Sequence, residues 1–192
     1  MALLEQHAKG RSLNAGQEAL VRHMACTGAR VALALAPAGT GKTTAMATLA
    51  RAWEEEGGRV VGLAPSANAA QVLRDDMRGQ GLHINADTID KLVWLHRHPD
   101  APKHDSARSW FDTIDHNTLI IVDEAGKAGT FALDTVISTA LARGATVRLI
   151  GDDKQLSSIS AGGVLRDIAA TAGSVPLTEV MRFSSRPEAA AT

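Results

Sequence analysis

Apolar residues occur along the chain in two alternating patterns. Short continuous apolar runs are typical of parallel strands covered on both faces, and they predict strands at Val31 to Ala36, Arg59 to Ala64, Thr118 to Val122, Thr146 to Ile150 and Val175 to Leu177. Apolar residues at helical spacing, mostly closed by glycine, predict helices at Ala15 to Thr27, Thr43 to Glu56, Ala67 to Arg78, Thr88 to His96, Phe131 to Arg143 and Gly162 to Ala170. The alternation predicts an α/β fold whose mostly parallel sheet carries helices on both faces, in a single domain over residues 1–192.

One segment interrupts this alternation. His98 to Ser109 is polar and contains two prolines, which predicts a loop or a small inserted subdomain within residues 91–117. The segment is locally basic, and Trp94, Trp110 and Phe111 lie in or beside it. Two interpretations remain open: a surface that stacks on nucleic-acid bases, or a surface loop with tryptophan packed inward. The histidine spacing here matches no standard zinc pattern, which favours a solvated loop over a metal site.

Composition narrows the class of protein. Of the 192 residues, 45% are hydrophobic and 21% are charged, as in an ordinary soluble globular domain. The net charge of −1 provides no general basic field for nucleic acid, so any such contact must be local. The single cysteine, Cys26, excludes an internal disulfide and lies on the apolar side of a predicted helix, where we expect it to be buried. No apolar run is long enough to span a bilayer, so we expect a cytoplasmic protein.

The strongest chemical signal follows the first predicted strand. The strand runs through a small-residue loop into a helix, in the order Ala36, Pro37, Ala38, Gly39, Thr40, Gly41, Lys42, Thr43, Thr44. Small residues let backbone N–H groups approach a phosphate, and the following helix directs its positive end at the anion. Lys42 is then placed for the terminal phosphates and the Thr43 hydroxyl for Mg²⁺. An ordinary glycine-rich turn is the alternative.

Polar residues also end two later strands. Asp123 and Glu124 follow one strand, and Gly151 to Gln155 follow the next. At the carboxyl edge of a parallel sheet these residues would converge on the phosphate loop, with Asp123 as a Mg²⁺ ligand and Glu124 as the base that activates water. The two acids could instead cap a helix. The chain has no Asn-Lys pair to read guanine, which favours ATP over GTP.

The order of these motifs resembles superfamily 1 DNA helicases. The resemblance rests on three stretches that look like motifs I, II and III: Ala38 to Thr43, Val122 to Ala125 and Gly151 to Leu156. The RecD-like branch, and especially the helicase part of MobF-type conjugative relaxases, is most similar, over about residues 13–192. The resemblance implies the first RecA-like P-loop NTPase domain of a motor, with ATP and Mg²⁺ as cofactors and single-stranded DNA as partner.

The resemblance also implies roles for individual residues. Gln17, in Leu13 to Gln17, would read adenine; Gln155 would report the γ-phosphate to the DNA side; and Arg182 would approach that phosphate. Pro65, Ser66 and Thr88, in the stretches similar to motifs Ia and Ib, would contact the DNA backbone. Other interpretations remain open: Gln17 as an exposed helix residue, Gln155 as a turn residue, Arg182 as a surface arginine, and Ser66 and Thr88 as helix N-caps.

Features that the chain lacks limit what it is expected to do. It has no tyrosine, and His96-Arg97-His98 has a charged middle residue, so the nicking chemistry of a relaxase is not expected here; a relaxase domain upstream is compatible with the resemblance. The resemblance also implies a second RecA-like domain that the chain does not contain. We therefore expect ATP binding with poor hydrolysis. The alternatives are a kinase-like phosphotransferase and a nucleotide-dependent docking module.

Overall fold

The fold is built around one parallel sheet. The structure, a computed structural model, describes residues 13–37, 39–100, 106–152, 165, 167–170 and 174–177. Within these residues the strands are β1 (Val31–Leu35), β2 (Arg59–Ala64), β3 (Asn85–Thr88), β4 (Thr118–Val122), β5 (Thr146–Gly151) and β6 (Ser174–Pro176). They lie in the order β3-β2-β4-β5-β1-β6, and every neighbouring pair is parallel. The predicted parallel sheet is confirmed.

Helices connect the strands on both faces of the sheet, as predicted. In the described residues they are α1 (Ala15–Cys26), α2 (Lys42–Glu55), α3 (Ala67–Gly79), α4 (Ile89–Arg97), α5 (Ser106–Asp112) and α6 (Thr130–Ala142), with a 3₁₀ turn at Ala125–Lys127. Residues 165 and 167–170 are also helical. Each of α1 to α4 and α6 agrees with its predicted position to within about two residues, the usual uncertainty of a helix boundary.

The sheet separates two apolar cores. One core packs α1, α2 and α3 against it, through residues such as Leu20, Leu49 and Leu73. The other core packs α4, α5 and α6 against the opposite face, through residues such as Leu92, Phe111 and Leu133. Neighbouring residues of β4 alternate between the two cores, because successive side chains of a strand point to opposite faces.

Two elements correct the sequence predictions. Ser106–Asp112 is helical, although the sequence predicted no helix here, only a loop or a small inserted subdomain that included Ser109. Burial explains the helix, since Trp110 and Phe111 are 6% and 2% exposed and join the second core. β3 was not predicted, because its Asn-Ala-Asp-Thr sequence has no apolar run; it pairs with β2 at the edge of the sheet, where one face of polar residues is tolerated.

Cys26 also corrects a prediction, because it is exposed. The buried face of α1 consists of Gln17, Leu20, Val21 and Met24. Cys26 follows Met24 by two residues, about 200° around a helix of 3.6 residues per turn, so it points away from the core.

Candidate active site

The loop after β1 adopts the backbone that an anion-binding loop needs. Gly39 and Gly41 have φ values of 81° and 76°, in the left-handed region that glycine adopts without a steric penalty. The Thr40 hydroxyl donates to the Pro37 carbonyl at 2.8 Å and closes the turn. Gly41 is the N-cap of α2 and provides no side-chain cap, so the first N–H groups of α2 are directed outward from the helix end, where they can donate to an anion.

The ends of β1 and β4 meet through one ion pair. Lys42 Nζ, at the start of α2, lies 2.7 Å from Asp123 Oδ1, just after β4. Asp123 Oδ1 also accepts from the Glu124 backbone N–H at 2.8 Å, and the Asp123 N–H donates to the Leu63 carbonyl at the end of β2. The side chains of Lys42 and Asp123 are 28% and 16% exposed, so the pair is partly shielded from water. The predicted convergence of these strand ends is confirmed.

Glu124 has a strained backbone. Its φ of 50° and ψ of 36° are left-handed, and among the described residues it is the only non-glycine with positive φ. An L-residue in this region costs about 1–2 kcal/mol, and such strain concentrates at functional sites. Glu124 Oε1 accepts from Lys127 Nζ at 2.8 Å, which orients the carboxylate at the carboxyl edge of the sheet.

Thr43 contacts an acid that sequence reasoning missed. Its hydroxyl donates to Asp76 Oδ2 of α3 at 3.2 Å, so the Mg²⁺ role of Thr43 beside Asp123 stays a prediction. In the described part of the chain, no group of three or more His, Cys, Asp or Glu side chains is arranged to hold a metal ion. No sequence motif marked Asp76, because its place beside Thr43 depends on how α3 packs.

Gln17 is buried, so its interpretation as an exposed helix residue is wrong. It is 1% exposed, and its Nε2 donates to the carbonyls of Thr40 and Gly41 at 3.3 and 3.1 Å. Its Oε1 accepts from the Asn14 N–H at 3.0 Å, while Asn14 Oδ1 accepts from the Gln17 N–H at 2.8 Å. This reciprocal capping box is visible in the sequence as Asn-Ala-Gly-Gln. The adenine role stays a prediction.

The predicted DNA contacts lie at the same carboxyl edge of the sheet as the ion pair. Ser66 Oγ accepts from the Ala69 N–H at 3.2 Å, and Thr88 Oγ1 accepts from the Lys91 N–H at 3.0 Å. Both residues therefore cap helices, α3 and α4, as their alternative interpretation predicted. Pro65 and Ser66 follow β2, and Thr88 ends the neighbouring β3. Their contact with DNA stays a prediction.

The aromatic residues of the 91–117 segment divide between core and surface. Trp110 and Phe111 pack inward, and the inward packing of a tryptophan agrees with the loop interpretation. Trp94 is 41% exposed, but its ring already stacks on His98 at 4.6 Å and lies 4.9 Å from Lys91 Nζ. Only Trp94 of the three is therefore exposed, and contacts within its own helix cover part of its ring.

Three predicted site residues, Ala38, Gln155 and Arg182, lie outside the described residues. Among the residues that are described, no helix is both long and apolar enough to cross a membrane.

Comparison with known proteins identifies the family of this chain. Residues 12–192 match the family described as "AAA domain". The chain is 32% identical over 166 residues to the conjugal transfer protein TraA of Rhizobium radiobacter, covering 86% of this chain and 14% of the relative. It is 30% identical over 154 residues to the ATP-dependent RecD2 DNA helicase of Deinococcus radiodurans, covering 77% and 19%.

A solved structure supports the fold. The UvsW helicase from bacteriophage T4 superposes with a TM-score of 0.51 at 18% identity, covering 72% of this chain and 52% of that one. At this identity the likeness concerns the fold alone, which is RecA-like α/β. The chain spans only 14–15% of the length of the TraA relatives that it matches.

Proposed function

Since the chain belongs to the AAA-domain family and is a RecD-like motor domain of superfamily 1, we propose that it binds ATP with Mg²⁺, hydrolyses it and acts on single-stranded DNA as part of a longer protein. The observation that carries the proposal is the 2.7 Å contact between Lys42 and Asp123. It brings the cation of a phosphate loop and the carboxylate of a second strand to one point, as γ-phosphate transfer requires.

The chain's own groups divide the chemistry. The N–H groups at the start of α2 and the Lys42 ammonium bind and orient the phosphates. Glu124 orients the attacking water and takes its proton. Mg²⁺, when bound, neutralises charge on the phosphate oxygens, and Thr43 and Asp123 would hold it. This donor set fits the ion, because Mg²⁺ takes few protein ligands and keeps several waters besides substrate phosphates.

Calorimetry with a non-hydrolysable ATP analogue tests the nucleotide site. Lys42→Ala is expected to weaken binding by about tenfold or more, since a hydrogen bond to a charged group contributes about 1.5–3 kcal/mol. Arg22→Ala is the matched control, because Arg22 is an exposed cation on α1 that forms an ion pair with Glu18. Unchanged affinity in Lys42→Ala would refute the phosphate-loop assignment.

The DNA contact rests on position at the carboxyl edge and on relatives whose names describe conjugal transfer and DNA helicases. Ser66→Asp separates contact from capping, because Asp caps α3 as well as Ser does but places a negative charge against the phosphates. We expect weaker binding of a single-stranded oligonucleotide, measured by fluorescence anisotropy. Gly28→Asp adds the same charge before β1, at the amino edge, where a side chain meets nothing within 4 Å. Equal effects of the two substitutions would refute the contact.

The relatives named conjugal transfer protein TraA also support a proposal for the full-length protein. In it, this domain acts in conjugation together with a second RecA-like domain that closes over the nucleotide, and with a relaxase domain upstream. Co-purification of a separately expressed second motor domain with this chain, dependent on ATP, would test the first of these partners.

A further inference from the structure

A buried arginine lies in the centre of the sheet, away from the groups that would meet ATP. Arg148 of β5 is 2% exposed and pairs in register with Ala32 of β1. Its side chain points to the face that α1 covers, where Nε donates to the Met24 carbonyl at 2.7 Å. Nη1 donates to three further carbonyls, at 3.0–3.4 Å, those of Ala29, Arg30 and Val147. The four acceptors of these bonds are all backbone oxygens.

These bonds fix the C-terminal end of α1. Burial lowers the pKa of Arg148 to about 10, which reflects the cost of removing the cation from water. Met24 contributes one of the last four carbonyls of α1, which have no partner within the helix. The negative end of the helix dipole also stabilises a cation at that position. Arg148 thus ties the end of α1 and the following turn to β5.

The other end of α1 holds the phosphate loop. Gln17, in its first turn, donates to the carbonyls of Thr40 and Gly41. Gly41 is the left-handed N-cap from which α2 begins. The 12 residues of α1 span about 18 Å at 1.5 Å per residue, so one rigid helix connects Arg148 to the loop.

One gap in the packing lies beneath α1. A cavity of about 20 Å³ lies between α1, α2, β1 and β5, and Leu20, Met24, Met46 and Arg148 are among its lining residues. Such a space is about the size of one water molecule, and its lining is apolar. The side chains around it therefore lack van der Waals contacts on that side. Hydrogen bonds at the two ends of α1 therefore add to the packing that sets its position.

We propose that Arg148 is a positioning residue for the phosphate loop. By anchoring the C-terminal end of α1, it holds Gln17 against Thr40 and Gly41 and keeps the loop in its left-handed, anion-binding conformation. Preorganisation of this kind lowers the cost of ordering the loop when phosphate binds. The inference rests on the proposed function of the loop, and its test separates the two.

The matched comparison is Arg148→Met against Arg143→Met in the 192-residue chain. Arg143 is also partly buried and donates to a backbone carbonyl, that of Phe111, but it lies with the second core, with its guanidinium 4.1 Å from the Phe111 ring. Below both unfolding temperatures, Arg148→Met is expected to weaken Mg²⁺–tripolyphosphate binding about tenfold, a coupling of ordinary size, and Arg143→Met less than about twofold. Tripolyphosphate has no adenine, so any contact of Gln17 with adenine does not affect this measurement.

A double-mutant cycle with Gln17→Ala distinguishes positioning from general destabilisation. If Arg148 acts through Gln17, Arg148→Met has little further effect on tripolyphosphate affinity in the Gln17→Ala background. Arg148→Lys should recover part of the affinity, because the ammonium can still donate to Met24. Additive losses, or equal losses in the Arg143 and Arg148 variants, would overturn the proposal.

Amide hydrogen exchange provides a readout that needs no ligand. Arg148→Met should speed exchange in residues 39–43 and in α1, while Arg143→Met should speed it in α5 and α6. If the wild-type chain binds neither ATP analogue nor tripolyphosphate, the proposed function fails, and this exchange pattern still decides the inference. Unchanged exchange in residues 39–43 of Arg148→Met would overturn it.

Discussion

Lys42 and Asp123 are 81 positions apart in the sequence and form a direct ion pair, 2.7 Å from Nζ to Oδ1. Because β5 lies between β1 and β4 in the sheet, the contact spans the end of an intervening strand. Asp123 Oδ1 also accepts the Glu124 N–H, so one carboxylate oxygen orients both the lysine and the start of the strained turn. If ATP and Mg²⁺ bind here as proposed, Lys42 must leave Asp123 to bind a phosphate, and Asp123 must leave Lys42 to bind the ion.

Asp123→Asn should therefore affect ATP binding in opposite directions with and without Mg²⁺. Without Mg²⁺ the variant is expected to bind ATP about three- to tenfold more tightly. Its Lys42 no longer has to break the bond to Asp123 before binding phosphate, and the net free energy of such a bond is of the order of 1 kcal/mol. With Mg²⁺ the enhancement should disappear and hydrolysis should fall. Calorimetry in EDTA and in Mg²⁺ checks both.

Asp115→Asn is the control for Asp123→Asn, because Asp115 precedes β4 and lies at the opposite edge of the sheet. It should leave ATP binding unchanged under both conditions. If Asp123→Asn weakened ATP binding equally with and without Mg²⁺, the proposal that Asp123 releases Lys42 and binds Mg²⁺ would be wrong.

The left-handed backbone of Glu124 predicts an unusual order of stability. Glu124→Gly should be more stable to urea than Glu124→Ala by about 1 kcal/mol, because glycine adopts this φ without a steric penalty. Hydrolysis should be lost in both variants, since neither has a carboxylate. Equal stability of the two variants would mean that the backbone at Glu124 is not strained in solution.

The packing around Gly58 leaves no room for a larger side chain. An added Cβ would lie 2.3 Å from Trp53 Cδ1 and 2.8 Å from the Asn117 carbonyl oxygen, and it would displace the indole that donates to that oxygen at 2.8 Å. Gly58→Ala should lower the free energy of unfolding by about 2 kcal/mol, within the range for overpacking.

Gly79→Ala is the matched control for Gly58→Ala, because a Cβ there meets nothing within 4 Å at the end of α3. It should be neutral or stabilise by up to about 1 kcal/mol. Urea unfolding measures both variants, and equal losses would contradict the packing argument.

Asp115 predicts a pH dependence of stability. Desolvation raises its pKa, but hydrogen bonds from Thr118 and the Asn117 N–H, together with Arg59, outweigh it, and the pKa is lowered. A carboxyl with a lowered folded-state pKa stabilises the fold above its unfolded-state pKa of about 3.9, and this contribution is lost as the pH falls through the folded-state value. The stability gap between wild type and Asp115→Asn should therefore be constant near neutrality and shrink below about pH 4. A constant gap down to pH 2 would contradict this.

Turnover tests the proposed dependence on a second motor domain. An arginine supplied from a partner domain is worth about 10³-fold or more in phosphoryl transfer. The 192-residue chain alone is therefore expected to bind ATP, to hydrolyse it slowly and to unwind no duplex. A coupled phosphate-release assay with and without single-stranded DNA measures this, and robust DNA-stimulated hydrolysis by the chain alone would refute it.

Local patterns in the sequence were sufficient for most of the fold. Continuous apolar runs predicted β1, β2, β4, β5 and β6, and glycine spacing around Lys42 predicted the phosphate loop, because both depend on residues close together in the chain. The same local reasoning failed for β3, which has no apolar run, and for α5, which forms because Trp110 and Phe111 are buried against the second core.

The sequence by itself determined the order of the elements other than β3 and α5, the small-residue loop after β1 and the acids that follow β4. Only the tertiary structure decided that Lys42 meets Asp123, that the Thr43 hydroxyl meets Asp76, and that Gln17 is buried against the loop while Cys26 is exposed. The contact of Arg148 with the C-terminal end of α1 was also decided by the tertiary structure, since nothing in the residues next to Arg148 indicates it. These contacts join residues that are distant in the sequence, and their geometry arises only when helices pack on the parallel sheet.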